Sequence, residues 1–207
     1  KRKLSNSTVN LYLCEEFNKK NIENYDKIIL CAYSSNNKIL KKLAPKKKLS
    51  RYKYELIEKI IVELPKKFKN HSYVIVDGKF VCVDPYLGTK YHLLSDVKYS
   101  KLEVIKKNNP IFKISKKKYL NNSINKNIKI SNFKKFIKHG STYLPFLKDA
   151  KYIGSFFVIR TIKENVEKND DRTSEIKKID NKFISILSGK WNTCVSLANK
   201  IEKIIDK

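Results

Sequence analysis

The chain has 207 residues and carries 46 Lys and Arg against 20 Asp and Glu, a formal charge of +26 spread over its whole length. Self-repulsion at that density disfavours a compact state unless phosphate neutralises it, so a polyanionic partner is expected, with nucleic acid first and an anionic membrane surface as the rival. At 41% hydrophobic residues the chain is too apolar for a disordered basic tail, and no apolar run approaches the roughly 18 residues that cross a bilayer, so a buried core is expected and insertion into a membrane is not.

In chain order, Lys1 to Asn10 reads as a polar arm without an apolar stretch of signal-peptide length. Ile28 to Tyr33 has the length and residue types of a buried strand or of a helix turn, and periodicity does not separate the two. Pro45 and Lys46 to Lys48 form a basic linker into an expected helix, with Leu49, Tyr52, Leu56, Ile60 and Leu64 on one face and Ile57 and Ile61 widening it. Ser50 stands as its N-cap, Glu55 lies four residues before Lys59, and Pro65 stops it. Residues 72–76 and 80–83 flank Asp77-Gly78, the signal of a tight β-hairpin, and Asp84-Pro85 with Gly88 forms the exit turn.

Leu102 to Lys107 and Ile111 to Ile114 are short ordered segments. Residues 116–132, dominated by Lys and Asn, read as a loop or an RNA-facing arm. Tyr152 to Ile162 is Phe-rich and β-branched, a strand. Glu164 to Glu175 is a charged loop, and residues 183–204 contain a closing helix with Trp191, Cys194 or Val195, Leu197 or Ala198, Ile201, and Ile204 or Ile205 as its apolar face. Cys14, Cys31, Cys82 and Cys194 are far apart without a Cys-x-x-Cys pair, which suits free thiols in a reducing compartment rather than a zinc site.

Lys48 to Lys59 read K-L-S-R-Y-K-Y-E-L-I-E-K. The run resembles the signature of the small-subunit ribosomal protein S-four family of bacteria and organelles, K-L-S-x-Y, three residues, then L-x-E-K. Lys48, Leu49, Ser50, Tyr52, Leu56, Glu58 and Lys59 carry the match. Phe68, Asn70 and Tyr73 stand in the order of a following family stretch, at shorter spacing, and Tyr143-Leu144 with Gly154, Phe156 and Arg160 resembles a degenerate copy of its C-terminal run. The family's V-x-V-N-G hairpin finds a likeness in Val74 to Gly78. In a second register, Leu94 to Tyr99 matches the family's L-D-N-V-x-Y helix. The resemblance covers about a third of the chain, in islands.

The basic clusters carry the functional expectation. Lys46, Lys47, Lys48, Arg51 and Lys53 fall at the expected helix N-terminus, where backbone donors also attract phosphate. Lys79 follows the hairpin turn, Lys116, Lys117 and Lys118 make a second cluster, and Lys134, Lys135, Lys138 and His139 a third. A charge run is ordinarily a solvated face; at +26 phosphate binding is the better reading. Lys greatly outnumbers Arg, which favours point contacts with backbone over bidentate reading of bases. Most of the twelve Tyr and ten Phe are needed as core; Tyr54, off the apolar stripe and beside Lys53, is the candidate for base contact. A two-metal nuclease built on Asp77, Asp84, Glu15 and Glu16 is the enzymatic alternative, but Asp77 is explained as a turn residue. No histidine pair has ligand spacing and no phosphate-binding glycine loop occurs.

The expected fold is α+β: a helical N-terminal part, a small hairpin-containing RNA-binding module, and a C-terminal strand and helix. Its divisions are an extension over 1–45, an S-four-like RNA-binding region over 46–163, and a charged loop with helix over 164–207. What the resemblance implies is a non-catalytic constituent of the small ribosomal subunit, expected in the mitochondrial ribosome with the plastid or cytoplasmic ribosome as alternatives. Its partners would be rRNA and neighbouring ribosomal proteins, with no cofactor, metal, small-molecule substrate or membrane. A different basic RNA-binding protein is the alternative.

Overall fold

The computed structural model describes residues 10, 12–13, 15–76, 78–120, 122–126, 128–164 and 173–205. Its elements are β1 (Ile28–Leu30), α1 (Asn36–Leu43), β2 (Tyr52–Glu63), β3 (Tyr73–Val74), β4 (Val81–Pro85), β5 (His92–Asp96) and β6 (Lys101–Lys107), followed by α2 (Ile114–Lys117), α3 (Phe133–Gly140), β7 (Lys151–Lys163), β8 (Glu175–Lys178), β9 (Phe183–Leu187) and α4 (Cys194–Ile205). They form two compact units, one of Lys1–Ala32, Asn36–Leu49 and Ser174–Lys207, the other of Tyr33–Ser35 and Ser50–Thr173. The mixed α+β class stands. The N-terminal part is not predominantly helical, because the first long element of the chain is a strand.

In the first unit β9 is the centre of a three-stranded sheet, parallel to β1 and antiparallel to β8. All five residues of β9 are buried. Strand alternation sends Phe183 toward Ile28, Leu30, Leu40 and Leu43, and sends Ile184 and Ile186 toward Ile201 of α4. N- and C-terminal segments therefore share one core. The closing helix forms as expected, with Leu197, Ile201, Ile204 and Ile205 on its inner face, but Trp191 is 87% exposed in the turn before it and Val195 is exposed too. The charged loop after Glu164 lies mostly outside the described residues.

In the second unit the expected helix over Leu49 to Leu64 is β2. Positions 52, 56 and 60 satisfy a period of two as well as they satisfy a helical stripe, so they do not discriminate. Tyr54, Glu58 and Val62 do: off a helical stripe, they fall on the same strand face as Tyr52, Leu56 and Ile60, and all six are buried. Aromatic and β-branched residues suit that pleated surface. Ser50 has no helix to cap. The second family register fails likewise, since Leu94 to Asp96 belong to β5.

β7 pairs antiparallel with β2 along its whole length, from Tyr52↔Lys163 to Glu63↔Lys151. That leaves one edge of β2 for both β5, which pairs with 60–62, and β6, which pairs with 52–57. β5 and β6 thus run as one strand interrupted at residues 97–100, where Ser100 O accepts from Glu58 N at 2.8 Å. β4 pairs with β5, and the Tyr73–Val74 strand with β4, so the expected hairpin forms; Asp77 at its tip lies outside the described residues. The outer edge of β7 is covered rather than left open: Asn125 and Ser155 exchange backbone bonds of 2.8 and 2.9 Å. A Cβ at Gly154 would meet Asn125 O at 2.7 Å, which is why the segment can lie so close. Part of the 116–132 stretch is therefore packed on the sheet and is not a free arm.

The even face of β2 meets α3 and the 3-10 turn Pro145–Asp149, with Ile60, Val62, Val81, Val83 and Leu94 closing on Phe136 and Leu147. Glu58 sits in this layer, 0% exposed. One carboxylate oxygen accepts from Ser131 Oγ (2.6 Å) and Ser155 Oγ (2.7 Å), the other from Asn132 N (2.8 Å). It thereby joins β2 to β7 and to the two residues that lead into α3. Glu58→Ala removes the acceptor of three buried donors and is expected to lower stability by about 3 kcal/mol; a urea midpoint unchanged from wild type would show that these bonds do not hold the layer together.

His92 is 2% exposed on β5, and among the described residues neither ring nitrogen has a hydrogen-bond partner. Burial pushes its pKa below the usual histidine value, Lys69 adds to that, and Asp84 opposes it. The unfolded chain therefore takes up the proton more readily. Its contribution to stability is complete above about pH 6.5 and is lost as pH falls through the depressed folded pKa. His92→Phe is expected to flatten that part of the stability–pH curve, measured by thermal melts between pH 5 and 8.

Candidate nucleic-acid interface

The first basic cluster loses the helix N-terminus expected to gather it. Lys46 and Lys48 are exposed in the segment after α1, and Lys47 pairs with Asp180 at 2.7 Å, all within the first unit. Burial raises the Asp180 pKa, but the hydrogen bond from Lys47 and the amides of Phe183 and Lys182 outweigh it and hold the carboxyl below its usual value. In the second unit Arg51 is exposed and reaches Glu164 Oε2 at 3.3 Å. Lys53 is only 12% exposed and lies 3.5 Å from Glu55 Oε1.

Tyr54 is not a base-contacting residue on this fold. It is 1% exposed, packed edge-on against Tyr52, and its hydroxyl donates to Asn108 O at 3.2 Å. The strand turns inward a position that a helix would have turned outward. Lys79 is exposed beside Gly78, whose φ of +61° makes the turn. Lys116 is half-buried, bonded to Leu102 O and Glu103 Oε2 at 3.0 Å each. Lys117 and Lys118 are exposed, Lys118 lying 5.0 Å from the Tyr119 ring centroid.

The third cluster is the one the fold brings together. α3 buries Phe136 and Gly140 and leaves Lys134, Lys135 and Lys138 exposed. Lys135 and His139 are one turn apart and share a face of the helix. Asp96 orders the surface beside them. It is 1% exposed, its Oδ2 meets His139 Nδ1 at 2.7 Å, and its Oδ1 accepts from the amides of Lys98 (2.7 Å) and Tyr99 (2.9 Å).

The interrupted strand thus folds into a turn that presents Lys98 and Tyr99 next to α3. Tyr99 and Tyr143 both stand edge-on to the His139 ring, at centroid distances of 5.6 Å each, and Lys98 Nζ is 4.9 Å from the Tyr99 centroid. The Tyr99 hydroxyl first, and the Asp96 carboxylate to a smaller extent, raise the Lys98 pKa, so the amine stays charged. Tyr143 is 49% exposed. Lys98, Tyr99, Lys135, Lys138, His139 and Tyr143 therefore form a surface of cations interleaved with aromatic rings, the combination that engages phosphate and unpaired bases together. Sequence reasoning missed Lys98, Tyr99 and Tyr143. The adjacent Lys98-Tyr99 pair was visible, but only Asp96 and the break between β5 and β6 place it beside α3.

Among the described residues no group of three His, Cys, Asp or Glu could hold a metal ion. Asp84, considered for metal-assisted cleavage, accepts a short hydrogen bond from Ser72 Oγ, and Asp77 lies outside the described residues. Cys31, Cys82 and Cys194 are free thiols; Cys14 also lies outside the described residues. No helix is long and apolar enough to cross a membrane among the described residues.

Because Tyr143 is half in solvent, Tyr143→Ala is expected to leave the melting temperature within about 2 °C of wild type. It should weaken binding of single-stranded RNA by about 1–2 kcal/mol through loss of stacking. Fluorescence anisotropy with a labelled oligonucleotide measures it, and equal affinities would remove Tyr143 from the interface. No family model matches this chain, and neither a curated protein nor a solved structure shows significant similarity to it.

Proposed function

We propose that the chain is a non-catalytic RNA-binding protein that neutralises converging phosphate backbones and serves as a structural constituent of a ribonucleoprotein. The observation that carries the reading is the basic and aromatic surface on α3 and the 97–100 turn, set in a chain of charge +26. Lys supplies point charges to backbone, Tyr supplies stacking faces, and the sheet supplies a rigid platform.

The small ribosomal subunit, as an assembly partner of rRNA and neighbouring proteins, is the setting proposed from the S-four resemblance, with the mitochondrial ribosome first and the plastid or cytoplasmic ribosome as alternatives. Support from that resemblance is limited by the fold. Tyr52, Leu56 and Glu58 of the matched run are buried in β2 and serve the core, so the order of residues is shared while the expected helix is not. A different RNA-binding protein or assembly factor remains the alternative, and cosedimentation separates the two: a ribosomal constituent stays with small subunits at high salt, whereas release at moderate salt favours the alternative.

The binding surface itself is tested by charge reversal. Lys135→Glu with Lys138→Glu removes two phosphate contacts and should reduce the slope of log affinity against log salt by about 1.4 for single-stranded RNA. A slope unchanged from wild type, with the double variant folded by circular dichroism, would overturn α3 as the RNA-facing element.

A further inference from the structure

The odd face of β2 is turned away from α3 and opens into a cavity of about 600 Å³ within the second unit. Ile57, Phe80, Leu93, Val97 and Val158 give it apolar walls. Tyr33 closes one side in a left-handed backbone conformation, φ +51°, with its hydroxyl donating to Thr161 O (2.9 Å) and accepting from Thr161 N (3.0 Å). That pair of bonds fixes the wall in place. The volume falls in the range of sites that enclose small molecules.

Three cations line the same space, Lys59, Lys101 and Arg160. Arg160 and Lys101 share a single carboxylate, Glu55, which is 0% exposed and also faces Lys53. Lys59 is different. Its Nζ donates to Ser95 Oγ at 2.9 Å and forms no ion pair among the described residues, which leaves two of the three ammonium donors unused at a half-buried position. Burial lowers its pKa and the nearby Arg160 adds to that, with Cys82 and then Asp84 opposing. Asp84 and Asp96 also line the cavity, but Ser72 engages the first and His139 the second, so the half-buried Lys59 ammonium keeps donors that an anion can use.

We propose that this cavity binds a small organic anion, its apolar or aromatic body seated on Ile57, Leu93 and Val158 and its carboxylate or phosphate group bonded to Lys59 Nζ. Its floor on the odd face of β2 is turned away from α3, and the 97–100 turn borders both the cavity and the basic surface. Occupying it therefore leaves α3 free.

Titration calorimetry of the purified chain with benzoate, phenyl phosphate and inorganic phosphate tests the proposal, the first two separating a carboxylate from a phosphate head group. Saturable one-to-one binding of benzoate or phenyl phosphate is expected, at least tenfold tighter than inorganic phosphate. Lys59→Met should weaken it tenfold or more, whereas Lys126→Met, at an exposed lysine elsewhere, should not. Val158→Trp fills the cavity from a position already 39% exposed; it should abolish anion binding while keeping the wild-type melting temperature and RNA affinity. Absence of saturation with both aromatic anions, or wild-type affinity in either Lys59→Met or folded Val158→Trp, overturns the site.

Discussion

Two carboxylates on one strand, Glu55 and Glu58, hold the second unit together from opposite faces of its sheet, both 0% exposed. A buried carboxylate is costly unless its oxygens are satisfied, so each position dictates what surrounds it. Glu58 requires donors, and Ser131, Asn132 and Ser155 supply them, which pins the start of α3 against β7. Glu55 requires positive charge, and Arg160 on β7 supplies it with a 2.6 Å bond while Lys53 and Lys101 approach to 3.5 Å. The longest pairing in the fold, β2 with β7, is thereby bolted on both sides. Because α3 takes its position from Glu58, the lysines of α3 depend on a residue that never meets solvent.

These interior carboxylates also sharpen what the net charge means. Asp96 is buried with them, so among the described residues three carboxylates are withdrawn from the surface. They hold polar groups and cations inside the fold, and the outer surface is left with fewer carboxylates to offset its lysines. Repulsion among those lysines acts against the compact state, and any polyanion that binds the folded chain in preference to the unfolded one stabilises it by mass action. Folding and RNA binding are therefore thermodynamically linked in this reading, through surface charge and not through a conformational switch.

The hairpin at residues 73–85, the strand over β7 and the closing helix were legible because their signals are local: Asp-Gly between apolar runs, β-branched and aromatic density, an apolar stripe before the chain end. β2 was not, because a four-residue recurrence of apolar positions fits a strand and a helix alike. Its neighbours then read wrongly in turn. Ser50 became a cap, the lysines before it became a helix N-terminus, and Tyr54 became a surface ring, when the strand makes Tyr54 one of the most buried residues in the unit. What would have separated the readings is Tyr54 with Val62, both large and apolar, both off the helical stripe and both on the alternating one.

The basic and aromatic surface on α3 was half legible for a related reason. A lysine-rich helix face is written in consecutive residues, and Lys134, Lys135, Lys138 and His139 stand out in the sequence. The other half comes from about forty residues earlier, at the point where the strand opposite β2 breaks between β5 and β6. That break has no strong sequence signal, since Val97-Lys98-Tyr99-Ser100 contains neither Gly nor Pro. It exists because Asp96 turns its side chain into the core layer and takes two amides from its own turn, leaving its second oxygen for His139 on α3. A short aspartate turn and a buried hydrogen bond to His139 thus do together what neither residue announces alone: they carry Lys98 and Tyr99 to the helix whose lysines they complete.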